Sequence, residues 1–401
     1  MKILLSAYAC EPNKGSEPEV GWSWAVELAN LGHDVWILTR TNNQDKIESV
    51  LLELPERKNL HFIYYDLPQC ILKLKKLTHG VRFYYFFWQF FSFLYVRNIH
   101  AIELFDKVHH VTFVSIRQPS FLGWLGIPFI FGPVAGGEQA PWRLRMSYGV
   151  RGFFLDLIRD LMNFFVKLDP FMWMTFIQAD EIYVTSEQTK NLLPRMFHKK
   201  TMVQLAIGHN SKSPEPLKKK ITNTSFNILY VGRSLYWKGM HLGIAAFAEL
   251  VKKVPNACLT MISDGPDKNS LEKLAIKLNV YSNIVWIDRV EQNILNKYYS
   301  ENDVFLFPSL HDSGGMVVLE AMAHSLPVVC LELGGPSVMT SNRSGVVISV
   351  YKKSESDIIC KLTEALLLLY KNTELRDELG RQALNAVSNY QWKSLVKNIY
   401  N

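Results

Sequence analysis

Residues 305–335, FLFPSLHDSGGMVVLEAMAHSLPVVCLELGG, constrain the fold more than any other stretch of the chain. The apolar run Val304-Phe305-Leu306-Phe307 reads as a buried strand ending at Pro308. A polar loop with Asp312 and the pair Gly314-Gly315 follows. The pattern then predicts a helix opening at Met316, carrying Glu320 in its second turn and stopping before Pro327. Pro327-Val328-Val329-Cys330-Leu331 is a second buried strand, leading into Gly334-Gly335. Strand, glycine-rich turn, helix, strand is the local plan of a nucleotide-phosphate cradle. Glycine lets the backbone approach an anion, and the free amides and positive dipole end of the following helix hold it.

A second motif lies upstream. The strand Phe226-Asn227-Ile228-Leu229-Tyr230-Val231 runs into Gly232-Arg233-Ser234-Leu235-Tyr236-Trp237-Lys238-Gly239, before a helix predicted over 240–253. Two cations at the carboxyl end of a strand suit a diphosphate, Arg233 as a bidentate fork and Lys238 as a point charge.

With GR-x4-KG, then a carboxylate pair spaced as Asp312-x7-Glu320, then LEAMAHSLPVV, the chain resembles the retaining glycosyltransferases of the GT-B class, family 4 (group 1 glycosyltransferases). Their signature is Glu-x7-Glu followed by an Ala-Met-Ala-like helix and a Pro-Val-Val strand, and the likeness extends over nearly the whole chain. The fold this implies is α/β: GT-B, two Rossmann-like doubly wound domains facing across a cleft. Two departures stand out. Asp312 replaces the first Glu and is about 1.5 Å shorter. Ser325 replaces the usual helix-ending Gly, giving up the easy left-handed C-cap.

The resemblance implies a donor site made of Arg233, Lys238, Asp312, Glu320 and the helix tip at Gly314, Gly315, Met316 and Val317. Asp312 would bond sugar hydroxyls and Glu320 the ribose. Backbone at Arg289 and Val290, after the strand Ile284-Val285-Trp286-Ile287, would hold the base. Gly15 and Ser16, in the loop YACEPNKGSEPEVGW after the first strand, would face the donor phosphates and the acceptor. A histidine after an N-terminal strand is where related transferases contact donor sugar or acceptor; His110 is preferred here, His109 second. Gly137 and Glu138 are acceptor-side candidates. Arg233, Lys238 and Asp312 join the histidines as the catalytic set.

With 401 residues the chain exceeds what a single core comfortably organises, so two domains are expected. The expected division is 1–210, a linker at 211–225 (NSKSPEPLKKKITNTS begins at Asn210), and 226–389, with 390–401 crossing back to the first domain. Lys2 to Ala9 reads as a first strand rather than a signal peptide, Trp22 to Leu31 as a helix and 35–39 as the next strand, a βαβ opening. The loop lacks GxGxxG, which argues against an oxidoreductase. The five cysteines show no CxxC pair and read as buried thiols of a reducing compartment. A net charge of +7 is mild and does not by itself imply nucleic acid, and no nucleic-acid partner is expected.

Two apolar stretches stand apart. Residues 67–102 hold FYYFFWQFFSFLYV with basic and no acidic residues. Residues 152–174, GFFLDLIRDLMNFFVKLDPFMWM, carry Asp156, Arg159, Asp160 and Lys167 at helix-face spacing. The fourteen-residue aromatic run would make about 21 Å of helix, too short to span a bilayer of roughly 30 Å. Both stretches read either as peripheral membrane contacts or as helices packed inward.

The implied reaction moves a sugar from a nucleotide-diphosphate sugar to a hydroxyl of a glycan or lipid-linked glycan, with retention. No DxD, HExxH or Cys/His metal spacing appears, so no metal or other cofactor is expected. Likeness to a subgroup implies bacterial surface-polysaccharide synthesis, cytoplasmic or peripheral on the cytoplasmic face of the inner membrane. The alternatives are a sugar-nucleotide epimerase on the same plan and a catalytically weak scaffold subunit.

Overall fold

The computed structural model describes residues 1–71, 80–209, 225–340 and 343–400. Its contacts divide the chain into two compact units. The first comprises Met1–Gly137, Arg159–Gly208 and Trp392–Asn401; the second comprises Glu138–Ile158 and His209–Gln391. A single cut near residue 210 therefore misses Glu138–Ile158, which group with the second unit. The expected linker, apart from Ser225, lies outside the described residues.

The first unit is built on a 7-stranded parallel sheet in the order β3-β2-β1-β4-β5-β6-β7. Its strands are β1 (Lys2–Ser6), β2 (Asp34–Thr39), β3 (Leu60–Tyr64), β4 (Lys107–His110), β5 (Phe129–Val134), β6 (Glu181–Val184) and β7 (Thr201–Val203). β1 and β5 are apolar over most of their length, as strands covered by helices on both faces are, whereas β4 between them reads Lys-Val-His-His. The first strand is shorter than the sequence implied, and the helix after it opens at Ser16 instead of Trp22, with Gly15 as its N-cap. Ser186 caps the Glu187–Leu192 helix by accepting a bond from the Thr189 amide at 3.2 Å.

The aromatic run lies on a Val81–Glu103 helix that buries Tyr84, Tyr85, Trp88, Gln89, Ser92, Phe93 and Val96. Tyr8 meets Tyr85 and Trp88 edge to face at 4.8 and 4.9 Å. Most of this helix's aromatic surface is thus core, while Phe83, Phe91, Tyr95 and Ile102 remain exposed. Residues 72–79, with Lys73, Lys75 and Lys76, lie outside the described residues. Among the described residues no helix is long and apolar enough to cross a membrane.

The second apolar stretch is helical, as its spacing implies, and of the two readings left open it does not pack its apolar side inward. It forms a Gly149–Phe165 helix, a short turn, and a Pro170–Gln178 helix capped by Asp169. The longer helix is inverted: Asp156 and Asn163 are 1% and 0% exposed, whereas Val150, Phe154, Leu157, Ile158, Leu161, Phe164 and Phe165 face outward at 42–77%. Those two polar side chains point inward because each meets polar partners there. Asn163 bonds Arg117 and the Gly136 carbonyl within the first unit, and Asp156 meets Arg145, Tyr236 and His311 within the second.

The second unit carries a 6-stranded parallel sheet in the order β10-β9-β8-β11-β12-β13. The strands are β8 (Asn227–Val231), β9 (Cys258–Ile262), β10 (Ile284–Ile287), β11 (Val304–Phe307), β12 (Val328–Leu331) and β13 (Gly345–Ile348). The order reverses direction between β8 and β11, the switch point outside whose carboxyl ends such sheets bind ligands. Cys10 and Cys330 are buried, but Cys70 and Cys360 are exposed and Cys258 is half-buried, so the expectation of uniformly buried thiols fails.

Candidate functional site

Both motifs emerge at the switch point of the second unit. After β8 the chain turns through Arg233, which is exposed and whose carbonyl accepts a bond from the Tyr230 hydroxyl at 3.2 Å. One 3-10 turn, Tyr236–Lys238, ends at Gly239 with φ +70. That glycine is obligatory twice over: its backbone is left-handed, and a Cβ there would lie 1.9 Å from the Pro308 carbonyl. The close approach brings the β8 loop against the end of β11. Lys238 then forms an ion pair with Asp312, both side chains only 17% exposed, and its ammonium lies 5.2 Å from the centre of the Phe307 ring. Sequence reasoning gave these residues separate ligand contacts; in the structure they are each other's partner.

The Met316–Ala323 helix starts at Gly315, and no side chain caps it. Its first amides therefore carry the unsatisfied donors and positive potential of a helix start. The second glycine pair serves packing. The Gly335 amide donates to the Asp312 carbonyl at 2.8 Å, and a Cβ on Gly335 would fall 2.5 Å from the Gly314 carbonyl. The Gly334–Met339 helix is thereby seated directly on the loop that holds Asp312.

Glu320 accepts a bond from the Tyr299 hydroxyl at 2.8 Å, and its carbonyl bonds the His324 ring at 2.8 Å. Burial raises its carboxyl above the ordinary range, partly countered by hydrogen bonds from Tyr299 and Gln292. It is an anchored, desolvated carboxyl and not a solvated helix residue. Arg289 and Val290 follow β10, beside an Asp288 that pairs with Lys268.

In the first unit, His109 and His110 end β4 and are fully buried. His109 bonds the Tyr400 hydroxyl at 2.9 Å and the Gly132 carbonyl at 2.8 Å, so both ring nitrogens are occupied. His110 meets the Tyr85 hydroxyl at 2.7 Å and Gln89 at 3.2 Å. Burial pushes both rings down to about 3, which keeps them neutral. Their surroundings are those of core residues. Gly137 packs on Thr189, donating to its hydroxyl at 3.2 Å, and Glu138 is buried.

Sequence reasoning missed a polar cluster flanking the Lys238–Asp312 pair. Asp156 accepts a bond from the Tyr236 hydroxyl at 3.2 Å and lies 3.3 Å from His311 and 3.8 Å from Arg145. His311 stacks on Trp237 with ring centres 5.3 Å apart. The only sequence signal was adjacency, since His311 precedes Asp312 and Tyr236-Trp237 precede Lys238. Nothing in the local pattern of Asp156 marked it.

Two parallel-sheet Rossmann-like units define the GT-B class of glycosyltransferases. A sucrose-phosphate synthase structure from Thermosynechococcus elongatus shares this fold with a TM-score of 0.69, at 19% identity, over 100% of this chain and 97% of that one. Residues 212–386 match the family model "Glycosyl transferases group 1". The sulfoquinovosyl transferase SQD2 of Arabidopsis thaliana is 29% identical over 43% of this chain and 32% of its own, so the chain spans about a third of that relative's length. The alpha-monoglucosyldiacylglycerol synthase of Acholeplasma laidlawii is 27% identical over 75% of this chain and 73% of its own. By these findings residues 212–386 are similar to the group 1 glycosyltransferases, and the fold of the chain is that of GT-B structures.

Proposed function

We propose that this protein is a retaining, family 4 glycosyltransferase that moves a sugar from a nucleoside-diphosphate sugar to a hydroxyl of a glycan or lipid-linked glycan, in surface-polysaccharide synthesis. The observation carrying this reading is the Lys238–Asp312 pair beside the uncapped start of the Met316–Ala323 helix. A donor's diphosphate would draw on Lys238, Arg233 and the helix amides, freeing Asp312 for sugar hydroxyls, while Glu320 holds the ribose. The bond from the anomeric carbon to the diphosphate oxygen breaks and the acceptor oxygen bonds to the same face. The leaving phosphate oxygen takes the acceptor's proton. In this scheme fixed cations and amides offset the charge of the departing diphosphate, with no divalent ion required.

The reading includes a lipid surface on the cytoplasmic side of a membrane, peripheral and not spanning. The inverted helix turns nine large apolar side chains to solvent between Val150 and Phe165, and Arg143, Arg151 and Lys167 are exposed on or beside the same segment. Apolar area flanked by cations fits an anionic lipid interface. The names of the two relatives, a sulfoquinovosyl transferase and a glycosyldiacylglycerol synthase, point the same way.

A thermal-shift screen of nucleotide sugars should find one that raises the melting temperature by mass action. With that donor, Glu320→Ala should mainly weaken binding. Arg233→Ala should lower turnover by on the order of 3 kcal/mol of transition-state stabilisation. Vesicles containing phosphatidylglycerol should float the wild type and release Phe154→Ser/Leu161→Ser. Absence of any stabilising nucleotide sugar, or unchanged kinetics in both site variants, would overturn the transferase reading. Equal flotation of wild type and the double variant would overturn the lipid surface.

A further inference from the structure

We propose that Asp156 is the positioning residue of the donor site: a buried carboxylate on a helix outside both motifs that fixes the two loops bearing Lys238 and Asp312. The inference rests on the donor reading of those two residues. A carboxylate 1% exposed is costly to desolvate and persists only when its neighbours compensate it. Here the neighbours are the Tyr236 hydroxyl at 3.2 Å, the His311 Nε2 at 3.3 Å and the Arg145 Nε at 3.8 Å. Arg145 is itself 4% exposed and is held by the Ala140 carbonyl at 2.8 Å, so the anchor is tied from behind.

What makes this arrangement more than packing is where the partners lie in the chain. Tyr236 stands two residues before Lys238, in the same 3-10 turn. His311 stands immediately before Asp312. Asp156 therefore holds the β8 loop with one contact and the β11 loop with the other, on the near side of the ion pair that joins them. Trp237 closes the bracket by stacking on His311 at 5.3 Å. One helical turn earlier, Gly152 lies against the Tyr236 ring: a Cβ there would come 2.9 Å from the ring carbon. Tyr148 meets the same ring edge-on at 4.8 Å. Residues 152 and 156 share one helix face at i, i+4 spacing and Tyr148 ends the 3-10 turn just before that helix, so together they form a mould for Tyr236 and the turn it belongs to.

A lysine is a point charge on a flexible four-carbon stem, and its aim depends on the backbone that carries it. Misplacing a ligand-binding group by about 1 Å can cost on the order of a hundredfold. Asp156 thus acts on the ligand only through Lys238 and Asp312.

The test is titration of the full-length protein with a panel of nucleoside diphosphates by calorimetry, using the tightest binder. Asp156→Asn keeps the volume and an acceptor for Tyr236 but removes the charge facing His311 and Arg145. It should raise Kd about tenfold with a cooperative melt retained. Tyr236→Phe, which deletes one hydroxyl, should raise Kd about threefold and serves if Asp156→Asn fails to fold. In a Lys238→Ala background either substitution should change Kd less than twofold, because a residue acting through Lys238 loses its effect once Lys238 is gone. Unchanged affinity in both single variants, or full additivity with Lys238→Ala, would overturn the inference while leaving the donor reading standing. Failure of the wild type to bind any nucleoside diphosphate would instead remove the donor reading, and this inference with it.

Discussion

Ser325 stands where the resembled family ends its helix with glycine, yet the backbone keeps the geometry that glycine would supply. Its φ is +57, in the left-handed region. The Ser325 amide donates to the Met322 carbonyl and the Leu326 amide to the Ala321 carbonyl, both at 3.0 Å. That double bond pattern is a Schellman motif, with a residue carrying a Cβ at its left-handed position. The conformational penalty is borne because Pro327 must start toward β12 at once. Ser325→Gly should therefore stabilise the protein by about 0.5–1 kcal/mol, the penalty removed less the added freedom of the unfolded chain. Urea unfolding of the two proteins measures it; an equal or lower midpoint for the variant would refute the argument. At this scale residue types were readable from the sequence and pairings were not. Lys238, Asp312 and Glu320 stood out by spacing. That Lys238 faces Asp312, and Glu320 faces Tyr299, depends on which strands adjoin, which spacing along one strand does not encode.

Short parallel strands were the elements most easily read. Val304–Phe307 forms as its apolar run dictates, because a strand covered on both faces needs only continuous hydrophobicity and a turn residue after it. The apolar run Ile284–Ile287 forms a strand at the sheet edge with Val285 exposed. The Gly149–Phe165 helix stood open to two readings because periodicity reports that a helix has two faces, not which one meets protein. A carboxylate goes inward when a tyrosine, a histidine and an arginine wait for it, and those lie far along the chain. β4 gives the same lesson for histidine: position after a strand suggested chemistry, whereas burial makes His109 and His110 neutral parts of the core. That burial has a pH consequence. In the unfolded chain histidine titrates near 6.5, while in the folded chain these two hold out to about 3. Below pH 6.5 the unfolded state takes up protons that the folded state refuses, so stability drops as pH falls. The drop is at most about 1.4 kcal/mol per pH unit for each histidine. Carboxyls lifted by desolvation, Glu17 to about 7 and Glu19 and Glu320 upward, act in the opposite sense. The histidine contribution is therefore read as a difference. The stability advantage of wild type over His109→Gln should narrow as pH is lowered from 7 to 5 in urea titrations. A pH-independent gap would mean that the folded protein protonates His109 as readily as the unfolded chain does.

At the scale of the whole molecule the chain lends Glu138–Ile158 to the second unit, builds the rest of that unit from His209, and returns to the first at Trp392. The returning Trp392–Tyr400 helix buries Trp392, Leu395, Val396 and Ile399, the i, i+3, i+4, i+7 set of a single face. Trp392 lies against Gly208, where a Cβ would come 2.7 Å from the indole. Gln204 donates to the Leu395 carbonyl at 3.0 Å, and Tyr400 reaches His109 in β4. The last residues of the sequence are thus structural members of the unit that holds the first ones. Trp392→Ala removes a side chain 2% exposed from this seam, and large-to-small changes of that kind cost about 3–5 kcal/mol. The second unit has its own sheet and core, so the loss should be local. Hydrogen exchange should speed up in β1, β4 and the Ser16–Asn30 helix, and remain slow in β8, β11 and β12. Nucleoside-diphosphate affinity, which the proposed site places wholly in the second unit, should be unchanged. Accelerated exchange spread equally over both sheets would show that the two units unfold as one, and that the returning helix stabilises the molecule rather than the unit it belongs to.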